Sequence, residues 1–169
     1  MDLERIYSPE DFDRNFVLKP SPGLILLMFY AARHFLFVLL AYNPSPKLGS
    51  AFSFLQHYAT PTSLLLGLPA LLVIVAWVQR MPNAKGIWRA IWRQGKWLLS
   101  LSILSHFAFL VYSAGPDILG SYVLTDSARL AVVILGVDVL ALYYLWRSPR
   151  VSDVFADFPA RPQPVDRPT

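Results

Sequence analysis

Two charged side chains lie near the middle of long apolar stretches of this sequence: Arg33 within residues 22–42 and Asp138 within residues 127–146. A charge in the hydrocarbon core of a bilayer costs several kcal/mol, so such residues are usually paired or lie on a transport pathway. If the two stretches cross a bilayer in opposite directions, Arg33 and Asp138 lie at similar depth. The two residues therefore predict either an ion pair between helices or a proton-carrying site.

Polar side chains of a third apolar stretch, residues 97–114, fall at a similar position. With a rise of about 1.5 Å per residue, Arg33 lies about 16 Å, His106 about 14 Å and Asp138 about 12 Å from the ends of their segments that face the same side. Helical spacing also places Ser102 on the face of His106. We therefore predict an intramembrane polar cluster of Arg33, His34, Ser102, Ser105, His106 and Asp138.

Three functions are compatible with this cluster. In the first, Arg33 and Asp138 form an ion pair that joins two helices, because pairing avoids the cost of isolated buried charges. In the second, Asp138 and His106 carry protons in a small transporter, although transporters commonly contain an inverted repeat and none is evident here. In the third, His34 and His106 bind a haem between helices, and no other cofactor is expected.

Enzymatic motifs are missing from the sequence. It contains no G-x-S-x-G, no Walker A motif, no H-E-x-x-H and no G-x-G-x-x-G. The chain also has no cysteine, which excludes disulfides, thiol nucleophiles and iron–sulfur ligation. We therefore predict no catalytic site and no metal site.

The composition is that of a membrane protein. Of the 169 residues, 55% are hydrophobic and only 15% are charged. Four apolar segments, residues 22–42, 60–79, 97–114 and 127–146, are each about 20 residues long, which is enough to cross a hydrocarbon core of about 30 Å. The predicted fold is all-α, with four transmembrane helices in an antiparallel bundle that forms one domain over residues 22–146.

The positive charges are distributed unevenly between the two predicted sides. Cytoplasmic loops retain Lys and Arg, so the basic regions are predicted to face the cytoplasm. These regions are the leader, the connection between the second and third segments, and the tail, whereas the other two connections hold only Lys47. Both termini are therefore predicted to be cytoplasmic. The basic charge is explained by topology, and no nucleic-acid partner is expected.

An amphipathic stretch, residues 86–97, precedes the third segment. Its tryptophans and isoleucines recur at helical spacing, and its cations fall on the opposite face, which is typical of a helix lying in the membrane interface. We predict a short interfacial helix between transmembrane helices two and three. Its predicted contacts with lipid, including anionic lipid, are Trp88, Arg89, Trp92, Arg93 and Lys96.

The leader is predicted to contain a short helix, whereas the tail is predicted to be disordered. Residues 1–21 form a cytoplasmic leader, in which Ser8 followed by proline and acidic residues predicts the start of a short helix. Residues 147–169 contain many prolines and predict a disordered cytoplasmic tail.

Three short pieces of the sequence and one connection carry a resemblance to a known family. They are Asp11-Phe12-Asp13 with Leu18-Lys19-Pro20, Ala32-Arg33, Gly67-Leu68-Pro69-Ala70-Leu71, and a Trp-rich basic connection before the third segment. In these features the chain resembles the uncharacterised bacterial inner-membrane family typified by enterobacterial YfeZ, over about residues 7–147. That family prefers a glycine about where this sequence has Phe16. The resemblance implies a multi-span inner-membrane protein and no known activity.

Together these expectations describe a bacterial inner-membrane protein that acts as a structural or accessory component. Its expected partners are the lipid bilayer and either a second copy of the chain or another membrane protein.

Overall fold

The fold comes from a computed structural model, which describes residues 7–41, 61–120 and 126–159. Within these residues there are seven α-helices and no β-strand, so the all-α class is confirmed. The helices are α1 (Pro22–Ala31), α2 (Arg33–Ala41), α3 (Pro61–Val78), α4 (Gly86–Arg93), α5 (Gly95–Gly120), α6 (Asp126–Arg147) and α7 (Pro149–Ala156). The predicted segment ends at residues 42 and 60 lie outside the described residues.

Two of the described helices are long and apolar enough to cross a membrane. They comprise Gly95–Ser113 in α5 and Arg129–Arg147 in α6. The other two predicted spans contain shorter apolar helices, Pro22–Ala31 and Leu64–Val78. The first predicted span is divided, because the helix is interrupted at Ala32 between α1 and α2.

Helix α3 lies against α1, α2 and α5. Its buried face consists of Ala70, Val73 and Ala76, which recur at three-residue spacing and so point the same way. Gly67 allows close packing at the other end of this face, because a Cβ there would lie 3.0 Å from the ring of Phe35. The small residues of α3 therefore bring the two halves of the first apolar segment close to its backbone.

The leader forms a tight turn before α1. A short 3-10 helix, Pro9–Asp11, is followed by an isolated bridge between Phe12 and Leu18. Phe16 lies in the turn with φ 56°, in the left-handed region that favours glycine, and its side chain is 89% exposed. A glycine at this position would adopt the same backbone conformation without strain.

We expect Phe16→Gly to leave the protein as stable as the wild type or to stabilise it by up to about 1 kcal/mol. The substitution removes left-handed strain of about 1–2 kcal/mol, offset in part by the greater backbone freedom of glycine in the unfolded chain. Thermal unfolding in detergent measures the change. Phe16→Val is the control and should lower the melting temperature, because a β-branched residue tolerates positive φ poorly. A less stable Phe16→Gly variant would contradict this account.

The tail folds back as α7, so the prediction of disorder from residue 147 is wrong for Pro149–Ala156. Val151, Val154 and Phe155 form a buried stripe on this helix. The prolines suggested disorder, but Pro149 occupies the first turn of a helix, where its missing N–H is not needed. Residues 160–169 lie outside the described part of the chain.

Hydrogen bonds join α7 to the leader and to the connection between α3 and α4. Arg80 donates from Nη1 to the carbonyl of Leu18 at 2.8 Å and from Nη2 to the carbonyl of Asp157 at 2.9 Å. The carboxylate of Asp157 accepts the backbone N–H of Leu18 at 2.7 Å. Three regions that are far apart in sequence therefore meet at one end of the bundle.

The start of the leader is bound to α7 by two polar contacts. Arg150 Nη2 lies 2.6 Å from Asp11 Oδ1, and the Tyr7 hydroxyl donates to Asp153 Oδ2 at 2.5 Å. The hydrogen bond to Arg150 lowers the pKa of the Asp11 carboxyl from its usual value. Asp11 is thereby kept charged in its contact with α7.

Candidate functional site

The site begins at the interruption between α1 and α2. Ala32 has φ −91° and ψ 9°, and its N–H donates to the carbonyls of Met28 and Tyr30. Arg33 folds back over this interruption: its Nη1 donates to the Tyr30 carbonyl at 2.9 Å, and its guanidinium lies 4.1 Å from the centre of the Tyr30 ring. The local backbone thus fixes the position of the cation before it contacts another helix.

Asp138, on α6, is fully buried and is contacted by polar groups from three other helices, α1, α2 and α5. The Tyr30 hydroxyl donates to Oδ1 at 2.7 Å, and Arg33 Nη2 lies 3.4 Å from the same oxygen. His106 Nδ1 lies 2.9 Å from the other carboxylate oxygen, Oδ2. Asp138 therefore has a donor for each oxygen, which a buried carboxylate requires.

His106, on α5, connects the cation and the anion. Arg33 Nη2 lies 2.5 Å from His106 Nδ1 and 3.2 Å from Nε2. His106 Nδ1 therefore lies within hydrogen-bond distance of both the Arg33 guanidinium and the Asp138 carboxylate. The three side chains form a continuous polar network between α2, α5 and α6.

The second histidine lies beside this network. The ring centres of His34 and His106 are 4.9 Å apart, with their planes inclined at 45°. Two axial ligands of a haem must stand on opposite faces of the macrocycle. Imidazole rings that are packed directly together leave no space for a porphyrin between them, and His106 is already bonded to Asp138. The arrangement of His34 and His106 does not fit a haem.

The two predicted serines take different positions. Ser102 is buried, and its Oγ donates to the Leu66 carbonyl of α3 at 2.8 Å, with the Ala31 carbonyl 3.4 Å away. It therefore links α5 to α3 at the level of the interruption in the first segment. Ser105 is half-buried, and among the described residues it makes none of the hydrogen bonds of the network.

The network is closed to solvent except at one edge. The Asp138 side chain is 0% exposed and that of His106 7%, whereas that of Arg33 is 11% exposed. The described residues contain no group of three or more His, Cys, Asp or Glu side chains able to hold a metal ion. The geometry is that of an internally neutralised ion pair with polar neighbours.

Tyr30 belongs to this network but was not among the predicted residues. It lies three residues before Arg33, which places both on one face of a helix. A tyrosine in the middle of an apolar segment needs a partner for its hydroxyl when it is buried, and this was the available signal.

The residues predicted to contact lipid lie in several environments. Trp92 is fully buried, and its indole N–H donates to the Val154 carbonyl at 2.9 Å, so the prediction is wrong for this residue. Trp88 is half-buried against the core. Arg89 donates to the Pro159 carbonyl at 3.0 Å. Arg93 is exposed and Lys96 is half-buried beside α7.

Comparison with known families assigns the chain. The family described as "Protein of unknown function (DUF2919)" matches residues 7–157. The chain belongs to DUF2919. This confirms the expectation of an uncharacterised family. None of the curated proteins and none of the solved structures matches the chain.

The DUF2919 match includes more of the tail than the sequence resemblance did. It extends beyond residue 147 through the whole of α7 to Asp157, whose contacts hold the tail against the leader. It also contains Tyr30, Arg33, His106 and Asp138. Both the polar network and the docked tail are therefore inside the family's domain.

Proposed function

We propose that the protein is an integral membrane protein that acts as a structural or accessory component of a membrane assembly. The observation that supports this proposal is that apolar side chains cover the outside of the bundle while charged side chains lie inside it. Large apolar side chains are exposed on helices that include α1, α3, α5 and α6, while the charged network is internal. A water-soluble protein rarely exposes so many large apolar side chains, because contiguous apolar patches promote association. The exposed residues include Leu26 and Phe29, Leu65 and Leu72, Leu101 and Leu104, and Val133 and Leu140.

We propose that all four apolar segments span the membrane and that both termini face the cytoplasm. The contacts between Leu18, Arg80 and Asp157 support this topology, because the leader, the central connection and the tail meet at one end of the bundle. The positive charges of the sequence favour the cytoplasm for that end. The resemblance to the family typified by enterobacterial YfeZ favours the bacterial inner membrane.

The network around Asp138 is proposed to have a structural role, as an ion pair that joins two helices. Asp138 is bonded at both oxygens and compensated by Arg33, which favours a fixed carboxylate over one that repeatedly binds and releases a proton. The second candidate function is a proton-linked transporter, and the direct contact of His106 with Asp138 is the observation that favours it.

Single-cysteine labelling tests the proposed topology without background, because the chain has no cysteine of its own. Gln94→Cys lies at the proposed cytoplasmic end, Arg129→Cys at the opposite end, and Leu140→Cys in the exposed apolar belt. A membrane-impermeant maleimide should label Gln94→Cys only in inside-out vesicles and Arg129→Cys only in spheroplasts. Leu140→Cys should react only after denaturation. Labelling of Leu140→Cys in intact membranes as fast as Gln94→Cys would overturn the proposal.

Purification in mild detergent, followed by mass determination, tests the accessory role. We expect to purify a complex of fixed stoichiometry that contains either several copies of the chain or the chain and one other membrane protein. In proteoliposomes, the wild type and Asp138→Asn should both show the proton flux of empty vesicles. A flux that the wild type supports and Asp138→Asn abolishes would replace the structural assignment with the transporter.

A further inference from the structure

A cavity of about 350 Å³ opens between the junction of α4 with α5 and the docked helix α7. Its walls combine two cations, a hydroxyl and apolar groups. They are Arg93, Lys96, Trp97, Ser152, Phe155 and Ala156. The cavity is separate from the network around Asp138 and lies at the end of the bundle where the leader, the central connection and the tail meet.

The two cations of this cavity are available to an anion. Lys96 Nζ lies 3.1 Å from Ser152 Oγ, and it is also held 4.4 Å from the ring of Trp146. Arg93 is exposed. Across the described ranges, no carboxylate lies within ion-pair distance of Arg93 or Lys96. A hydroxyl and two uncompensated cations around one cavity are the donors that a phosphate group requires.

Two tryptophans mark the level of the cavity relative to the membrane. Trp97 lines the cavity and is exposed, and its ring meets that of Trp146 edge-on with 4.7 Å between the ring centres. Tryptophans at the ends of membrane spans lie at the level of the lipid headgroups. With α5 and α6 crossing the membrane as proposed, Arg93 and Lys96 are therefore at headgroup level.

An apolar surface continues from the cavity toward the bilayer centre. Leu101 and Leu104 follow Trp97 by four and seven residues, which places all three on one face of α5. Both leucines are more than half exposed, at 53% and 52%. A ligand with a phosphate in the cavity could therefore lay an acyl chain along this face, which free phosphate could not do.

We propose that this cavity binds the phosphate headgroup of an anionic phospholipid. The inference rests on the proposed membrane-spanning function, which brings the cavity to the interface. Arg93 and Lys96 neutralise the phosphate, the Ser152 hydroxyl donates to it, and the Trp97 face of α5 contacts the acyl chain. The lipid thereby joins the tail helix α7 to the start of α5.

The test compares the purified full-length protein in neutral detergent with and without added phosphatidylglycerol. We expect phosphatidylglycerol to raise the melting temperature more than phosphatidylcholine does. Arg93→Gln/Lys96→Gln should bind phosphatidylglycerol roughly 25-fold more weakly, because each cation near an anionic headgroup contributes about fivefold. Ser152→Asp should also remove the preference for phosphatidylglycerol over phosphatidylcholine, since the new carboxylate would pair with Lys96.

The matched control is Lys85→Gln/Arg147→Gln, which removes the same charge from exposed positions outside the cavity. It should retain the lipid preference. If the control variant lost as much affinity for phosphatidylglycerol as the cavity variant, the lipid would be attracted by the overall positive charge, and the proposed site would be overturned. Stabilisation by inorganic phosphate equal to that by the lipid would overturn the lipid assignment. Because binding is measured in detergent, a failed site is distinguishable from a failed topology, which the cysteine labels report separately.

Discussion

Arg33→Ala and Asp138→Ala should each destabilise the protein by about 3–5 kcal/mol, the largest effects that we expect from single substitutions. Either change leaves the remaining charge buried without its partner. Asp138→Ala also removes the acceptor of the Tyr30 hydroxyl and of His106. Unfolding in denaturing detergent, followed by circular dichroism, measures each loss. The double variant should lose about 2–3 kcal/mol less than the sum of the single variants, because residues in one network are coupled.

A pair of tyrosine substitutions compares a hydrogen bond inside the network with one outside it. Tyr30→Phe removes one hydrogen bond to the Asp138 carboxylate and should cost about 1.5–3 kcal/mol. Tyr144→Phe removes a neutral hydrogen bond, in which the Tyr144 hydroxyl and Ser21 Oγ are 2.9 Å apart, and should cost only about 0.5–1.5 kcal/mol. If the losses of stability from Arg33→Ala and Asp138→Ala were strictly additive, the two residues would not form a stabilising ion pair.

The contact between Arg33, His106 and Asp138 is consistent with the number of residues that separates each of them from the end of its apolar segment. Arg33, His106 and Asp138 lie at similar distances from segment ends, and the structure brings the three side chains within hydrogen-bond distance. Helical spacing places Ser102 on the face of His106 and Ser105 to one side of it, in agreement with their different positions in the structure. The same spacing places Tyr30 on the face of Arg33, but the hydroxyl of a tyrosine in an apolar segment is a weaker signal than a charge.

The packing of the chain ends could not be read from composition. The pattern of Ile87, Trp88, Ile91 and Trp92 correctly indicated an apolar helix face, but an apolar face is covered equally well by lipid or by protein. In the structure α7 covers Trp92. The signal for α7 was the spacing of Val151, Val154 and Phe155, which the surrounding prolines obscured. The interruption at Ala32 had no local signal, since neither glycine nor proline is adjacent to it.

Gly95→Ala should destabilise the docking of α7 by about 1–3 kcal/mol. A Cβ at Gly95 would overlap the ring of Phe155, which is buried and packs against the Trp92 ring with 4.9 Å between their centres. The ring cannot move freely, because Trp92 is fixed by its hydrogen bonds to the carbonyls of Val154 and Asp157. The loss should exceed the roughly 0.5–1 kcal/mol that a helix gains from replacing glycine by alanine. The melting temperature, together with faster hydrogen exchange in residues 151–156, reports the undocking.

Gly136→Ala is the matched control, because it makes the same substitution within α6 where a Cβ meets no atom within 4 Å. It should raise stability by about 0.5–1 kcal/mol through helix propensity alone. Phe155→Leu offers a second check: it frees space beside Gly95, so Gly95→Ala/Phe155→Leu should lose less than the sum of the two single changes. If Gly95→Ala stabilised the protein as Gly136→Ala does, α7 would not be held against the start of α5. The cavity between these helices would then lack one of its walls.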